Sequence, residues 1–299
     1  MRGTWTVTRR AAVGFYRDQG THHAAALTYY ALMSVFPLML LAVSLLGLLG
    51  EYPATYNAII TELRTVVPAT TLAPLDDALR AAFRSTGTAV AALIVGVLTA
   101  FFGATGFMEA SRRALNVVFD SHTGRSFLRR KLTDIVSIVL LLGLVVVTLI
   151  FMFAGEGVAR DVVGADGAQL WRIVRWPAAV ACALLVFSFI YFVTPDVDHR
   201  SFRWVTLGAA VGVTVWVLAS AGFSYYLQRF SGINVTYGSF AAPIILLFWL
   251  WLTNVAMLFG AEINAEVARY QQEVQAAEAV ELVEPVGPDD DPRDLPSTA

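Results

Sequence analysis

Hydrolysis assisted by a metal needs imidazoles and carboxylates gathered in one ligand shell, and the four histidines here, His22, His23, His122 and His199, form no metal-ligand motif. On a helix the adjacent His22 and His23 point about 100° apart, so they read as anchors at a membrane boundary rather than as ligands. The sequence holds no Gly-rich phosphate loop, no nucleophile elbow and no zincin helix. Its one cysteine, Cys182, sits in an apolar run and offers neither a disulfide framework nor a thiolate cage. The expectation is a protein without catalytic residues, metal or cofactor.

The remaining polar chemistry lies inside long apolar stretches, where polar groups are costly and invite a functional reading. Thr28, Tyr29, Tyr30 and Ser34 fall in the first such stretch, Thr99 and Thr105 in the second, and Asn254 in the last. Hydroxyls at these depths usually bond their own helix backbone. Pro37, in the middle of the first stretch, removes a hydrogen bond to the carbonyl of Met33 and predicts a kink, with Ser34 a candidate to serve the freed group. Two carboxylates stand at the ends of apolar runs, Glu109 after the second and Glu262 after the last. Glu262 would be partly desolvated and would need a partner to stay charged. An ion pair with Arg112 or Arg113 is one reading, protonation or substrate contact a second, and an idle interfacial charge a third.

The elements that must position these groups are membrane helices. Of 299 residues 57% are apolar and 15% charged, and a mean hydropathy of +0.63 leaves too little polar surface for a soluble domain. Crossing a hydrocarbon core takes roughly 20 apolar residues of helix. Six segments offer that length: Ala24 to Gly50, Thr88 to Met108, Thr133 to Ala154, Trp176 to Val193, Trp204 to Leu227 and Phe240 to Ala261. The first is too long for a removable signal peptide. The fold class expected is therefore all-α, a polytopic transmembrane bundle of six spanning helices.

Lys and Arg favour one side of this layout by about two to one, led by Arg112, Arg113, Arg125, Arg129, Arg130 and Lys131, which places both termini in the cytoplasm. Between the first two spans, Tyr56, Ile59, Ile60 and Leu63, then Leu72, Leu75, Leu79 and Phe83, trace two short amphipathic helices on the outer face, to cap or to gate the bundle. Pro177 and Pro243 fall in the first turns of the fourth and sixth spans. Small residues line two spans, Ala92, Gly96, Ala100 and Gly103 on one and Gly208 with Gly212 on another, and let backbones approach. Three regions follow: a basic interfacial segment 1–23, a six-helix domain 24–269, and an acidic, disordered cytoplasmic tail 270–299.

Several runs have a familiar look. Ala24-Ala25-Ala26-Leu27-Thr28-Tyr29-Tyr30-Ala31-Leu32-Met33-Ser34-Val35-Phe36-Pro37, the pair Leu115-Asn116, Tyr237-Gly238-Ser239, Trp249, and Gly260-Ala261-Glu262-Ile263-Asn264 together resemble the YihY/BrkB family of bacterial inner-membrane proteins. The likeness covers roughly residues 10 to 270, with Thr28 where the family pattern expects a small apolar residue. It implies six helices, cytoplasmic termini, a ribonuclease label that is a misassignment, and links to serum resistance and envelope lipid traffic. It carries over no catalytic or binding residues.

Two functions fit. A transporter or flippase-like exporter of an envelope lipid or other amphiphile would use the kinked first helix, the glycine-faced spans and polar groups within the bundle; the candidate functional or structural positions are Glu262, Glu109, Asn254, Arg112, Arg113, Pro37, Ser34 and Tyr237. A non-transporting scaffold or assembly factor of the envelope needs the same helices but no continuous polar cavity. The partners expected are membrane lipids, a lipid or amphiphile substrate, or a second copy of the chain; the net charge of −2 gives no reason to expect nucleic acid.

Overall fold

A computed structural model of the chain describes residues 2–49, 57, 76, 80, 86–121, 133–141, 143–144, 156–195, 206–229 and 241–282. Every regular element among them is helical: α1 (Arg2–Arg17), α2 (Gly20–Leu49), α3 (Thr86–Val118), α4 (Glu156–Val193), α5 (Leu207–Arg229) and α6 (Ala241–Leu282), with a further helical stretch at 133–141. Four are long and apolar enough to cross a membrane, over Leu93–Val118, Ile173–Val193, Leu207–Arg229 and Pro243–Ala279. The first expected span coincides with α2. Half of the third lies outside the described residues, as do Tyr237 and the expected amphipathic segments apart from Asn57, Asp76 and Arg80.

Local chemistry sets the helix ends. Asp120 adopts a positive φ of 49°, Ser121 donates its amide to the Asn116 carbonyl at 2.9 Å and Asp120 its amide to Val117 at 3.2 Å. This Schellman motif stops α3. Gln19, with φ 54°, makes the turn between α1 and α2. Thr206 caps α5, its hydroxyl accepting the Ala209 amide at 3.1 Å.

Two antiparallel hairpins form the bundle, α2 with α3 and α5 with α6, and they meet where α2 packs on α6. Glycines set both seams. A Cβ on Gly103 would stand 2.5 Å from Ser34 Oγ, and one on Gly106 would stand 2.5 Å from the Tyr30 ring. Gly212 faces the Ala256 carbonyl, the Phe187 ring and the Tyr191 hydroxyl, each 3.1 Å from a Cβ placed there. The core holds small and medium residues such as Ala24, Leu27, Ala114, Leu115, Ala209, Val213, Leu258, Ala261 and Ala265. Large apolar side chains face outward, among them Leu98 and Phe102 on α3 and Leu218 on α5. Small residues at helix contacts with bulky ones outside is the pattern of packing in lipid, where no hydrophobic force gathers the helices.

Several expectations need correction. Pro177 lies well inside α4, not in its first turn, because that helix begins at Glu156. Ser34 does not serve the carbonyl that Pro37 frees; its hydroxyl donates to the Tyr30 carbonyl at 2.9 Å, one turn earlier, and α2 continues past Pro37 to Leu49. The helix of the last span does not give way at Tyr270 but runs on to Leu282, held by α1, whose Arg10 reaches Glu273 at 3.0 Å.

Candidate functional site

The charged groups gather at one end of the bundle, where α1, the last turn of α3 and the C-terminal half of α6 converge. α1 lies on α6 through a buried face of Val7, Ala11 and Gly14, spaced i, i+4, i+7. Beside it opens a cleft of about 1120 Å³, lined by Trp5, Arg9, Arg10, Val13, Gly14 and Arg17 from α1, Asn116, Asp120 and Ser121 from the end of α3, and Glu266, Arg269 and Glu273 from α6. Its walls carry both signs of charge. Arg17 donates to Asp18 at 2.9 Å, and Arg269 donates to Glu266 at 2.6 Å and to the Val118 carbonyl at 2.9 Å, which ties α6 to the capped end of α3. The hydrogen bond and charge of Glu273 raise the Arg10 guanidinium further, and Asp18 does the same for Arg17. His22 is exposed and His23 half-buried at the start of α2; burial, then the neighbouring His22, pushes the His23 imidazole down.

Glu262 lies behind the cleft, beneath α1. It is 1% exposed, and neither carboxylate oxygen has a hydrogen-bond donor among the described residues. The expected ion pair with Arg112 or Arg113 is absent: Arg112 donates to Glu109 at 3.1 Å and to Asp134, and Arg113 donates to Glu109 at 3.3 Å. The reason is geometric. Glu109 lies three and four residues before the two arginines, on their own helix face, and Arg112 turns toward the 133–141 stretch, where Asp134 is buried. Sequence reasoning passed over Asp134 because it stood in the first turn of an expected span; a carboxylate at that depth was itself the signal.

The other polar candidates bond their own helix backbone or a neighbouring helix. Thr28, Ser34, Thr99 and Thr105 each donate to a carbonyl four residues back, at 2.6 to 2.9 Å. Asn254 donates from Nδ2 to Thr28 Oγ1 at 3.1 Å in the buried contact between α2 and α6, so the Thr28 hydroxyl supplies an acceptor that a small apolar residue would lack. Asn264, seen in the sequence only as part of a motif, accepts the Gly208 amide at 2.8 Å and donates to the Thr206 hydroxyl at 2.9 Å, completing the cap of α5. Gly260 meets α5 one turn away; a Cβ there would lie 2.5 Å from both the Gly208 carbonyl and the Tyr191 hydroxyl. Trp216 and Trp249 extend this seam by donating to Thr253 at 3.1 Å and Ser220 at 3.3 Å. Among the described residues no three His, Cys, Asp or Glu side chains converge as a metal shell would require.

The chain is 28% identical to the ribonuclease-like protein YfkH of Bacillus subtilis over 252 residues, 83% of this chain and 90% of that one. It is 26% identical to a UPF0761 membrane protein of Nitrosospira multiformis over 87% of its length, and 26% identical to another of Rhodospirillum centenum over 89%. The matches span 60% and 58% of those two relatives, which are longer. No solved structure matches. A family described as virulence factor BrkB matches residues 11–282, from the docked face of α1 to the last residue of α6, and the chain is a membrane protein of that family.

Proposed function

We propose that the protein transports an envelope lipid or other amphiphile across the bacterial cytoplasmic membrane, as a six-span bundle with both termini in the cytoplasm. The observation that carries this reading is the cleft between α1, α3 and α6. Arginines and carboxylates share its walls with the exposed indole of Trp5 and with Val13, which suits a molecule with a charged head and an apolar body. Arg9 has no ion pair among the described residues and is available to an anionic head group. The arginine bias supports reading this end as cytoplasmic, the side on which an export substrate would enter.

The test is reconstitution of the full chain into liposomes with head-group-labelled phospholipids and small amphiphiles. Movement between leaflets faster than in protein-free vesicles, and slowed by Arg9→Gln with Arg10→Gln, is expected. Rates equal to those of empty vesicles for every probe would favour a second reading, a scaffold or assembly factor. The observation behind that alternative is the far end of α6, where the exposed stretch 271–279, with Gln271, Gln272, Gln275 and Glu278, offers a surface to a partner.

A further inference from the structure

Among the described residues, Glu262 is a buried carboxyl with both oxygens left without a hydrogen-bond partner. Its Oε2 would stand 2.9 Å from a Cβ on Gly14, so the backbone of α1 sits directly on the acid. The cations around it are engaged: on α1, Arg17 is bonded to Asp18, and on α6, Arg269 is bonded to Glu266 and to the Val118 carbonyl. Asp18 and Glu266 add negative charge nearby. The other packed helices bring His22 and His23 at the start of α2 and Asp120 at the end of α3. An ionised carboxylate without a donor, shut off from water under a helix, is strongly disfavoured, whereas a neutral acid packs there.

We propose that Glu262 is a proton-binding site whose charge state sets whether α1 stays docked on α6. With the proton bound, the carboxyl is neutral and α1 closes over it. On release, the proton passes to water in the adjoining cleft, which Gly14 lines, and the carboxylate is hydrated only if α1 lifts. The short turn at Asp18 and Gln19 tethers α1 while it swings. This deepens the transport reading by naming a coupling ion, and it rests on that reading only for the use to which the movement is put.

The measurement is maleimide labelling of Ala11→Cys, a position fully buried on the docked face of α1, in the full chain carrying Cys182→Ala in nanodiscs. Rates between about pH 6 and 9 are divided by those of the same protein with Glu262→Gln, which cancels the thiol's own ionisation. The ratio is expected to be near one at the acidic end and to rise by about tenfold or more at the alkaline end, as the docked population falls. A flat ratio overturns the proposal. If Ala11→Cys disturbs folding, hydrogen exchange of the α1 amides in otherwise unaltered protein decides: faster exchange than in Glu262→Gln at alkaline pH supports it, and equal exchange overturns it. Neither readout involves a substrate, so failure here leaves transport standing, and inactive liposomes leave the docking result standing.

Discussion

At Gly260 a hydrogen atom in place of a methyl group lets two backbones touch. The Gly260-Ala261-Glu262-Ile263-Asn264 run was conspicuous in the sequence, but its meaning was not, because the partners lie on α5 and α4 more than fifty residues away. Gly260 makes the close approach, Asn264 caps α5, and Glu262 faces the other way, toward α1. Gly260→Ala should therefore lower the melting temperature in detergent markedly, since a methyl there meets the Gly208 carbonyl and the Tyr191 hydroxyl and overpacking costs about 1–3 kcal/mol. Gly222→Ala, on the same α5–α6 hairpin but with nothing within 4 Å of a Cβ, should leave it unchanged or raise it slightly. Polar depth was legible for Asn254 and Glu262, since a single polar residue stands out in an apolar run. Its partner was not, since spacing along the chain says nothing about which neighbouring helix supplies a donor.

Elements were legible where hydropathy defines them and obscure where tertiary contact extends them. The second apolar stretch ends at Met108, yet α3 continues to Val118 because Glu109, Arg112 and Arg113 form i,i+3 and i,i+4 pairs on it and a Schellman motif stops it later. The last ends near Ala261, yet α6 is about 63 Å long at 1.5 Å per residue, roughly twice the hydrocarbon thickness. Its polar extension is a platform for α1, and the short amphipathic α1 gave no hint of where it would dock. The ion pair between Arg112 and Asp134 is the clearest link from α3 to the 133–141 stretch. Arg112→Gln should cost about 3–5 kcal/mol in denaturant or thermal unfolding, because it strands a buried carboxylate. Arg113→Gln should cost no more than about 1 kcal/mol, because Arg113 is exposed. Equal losses in the two variants would mean that the burial of Arg112 contributes nothing.

At the scale of the molecule, composition alone announced a membrane protein, and the apolar exteriors of α3, α5 and α6 agree with it. The number of spans and their direction rest on run length and arginine bias. The cleft, the docked α1 and the proton site acquire their proposed roles only if the arginine-rich end lies in the cytoplasm. Cysteine labelling in intact cells tests that claim most directly, on a Cys182→Ala background that removes the only thiol. Single cysteines at Ser126, in the arginine-rich stretch of sequence, and at Ser297, near the C-terminus, should resist an impermeant maleimide until the cells are permeabilised, while one at Thr70 should react at once. Labelling of Ser126→Cys and Ser297→Cys in intact cells, with Thr70→Cys protected, would contradict the account.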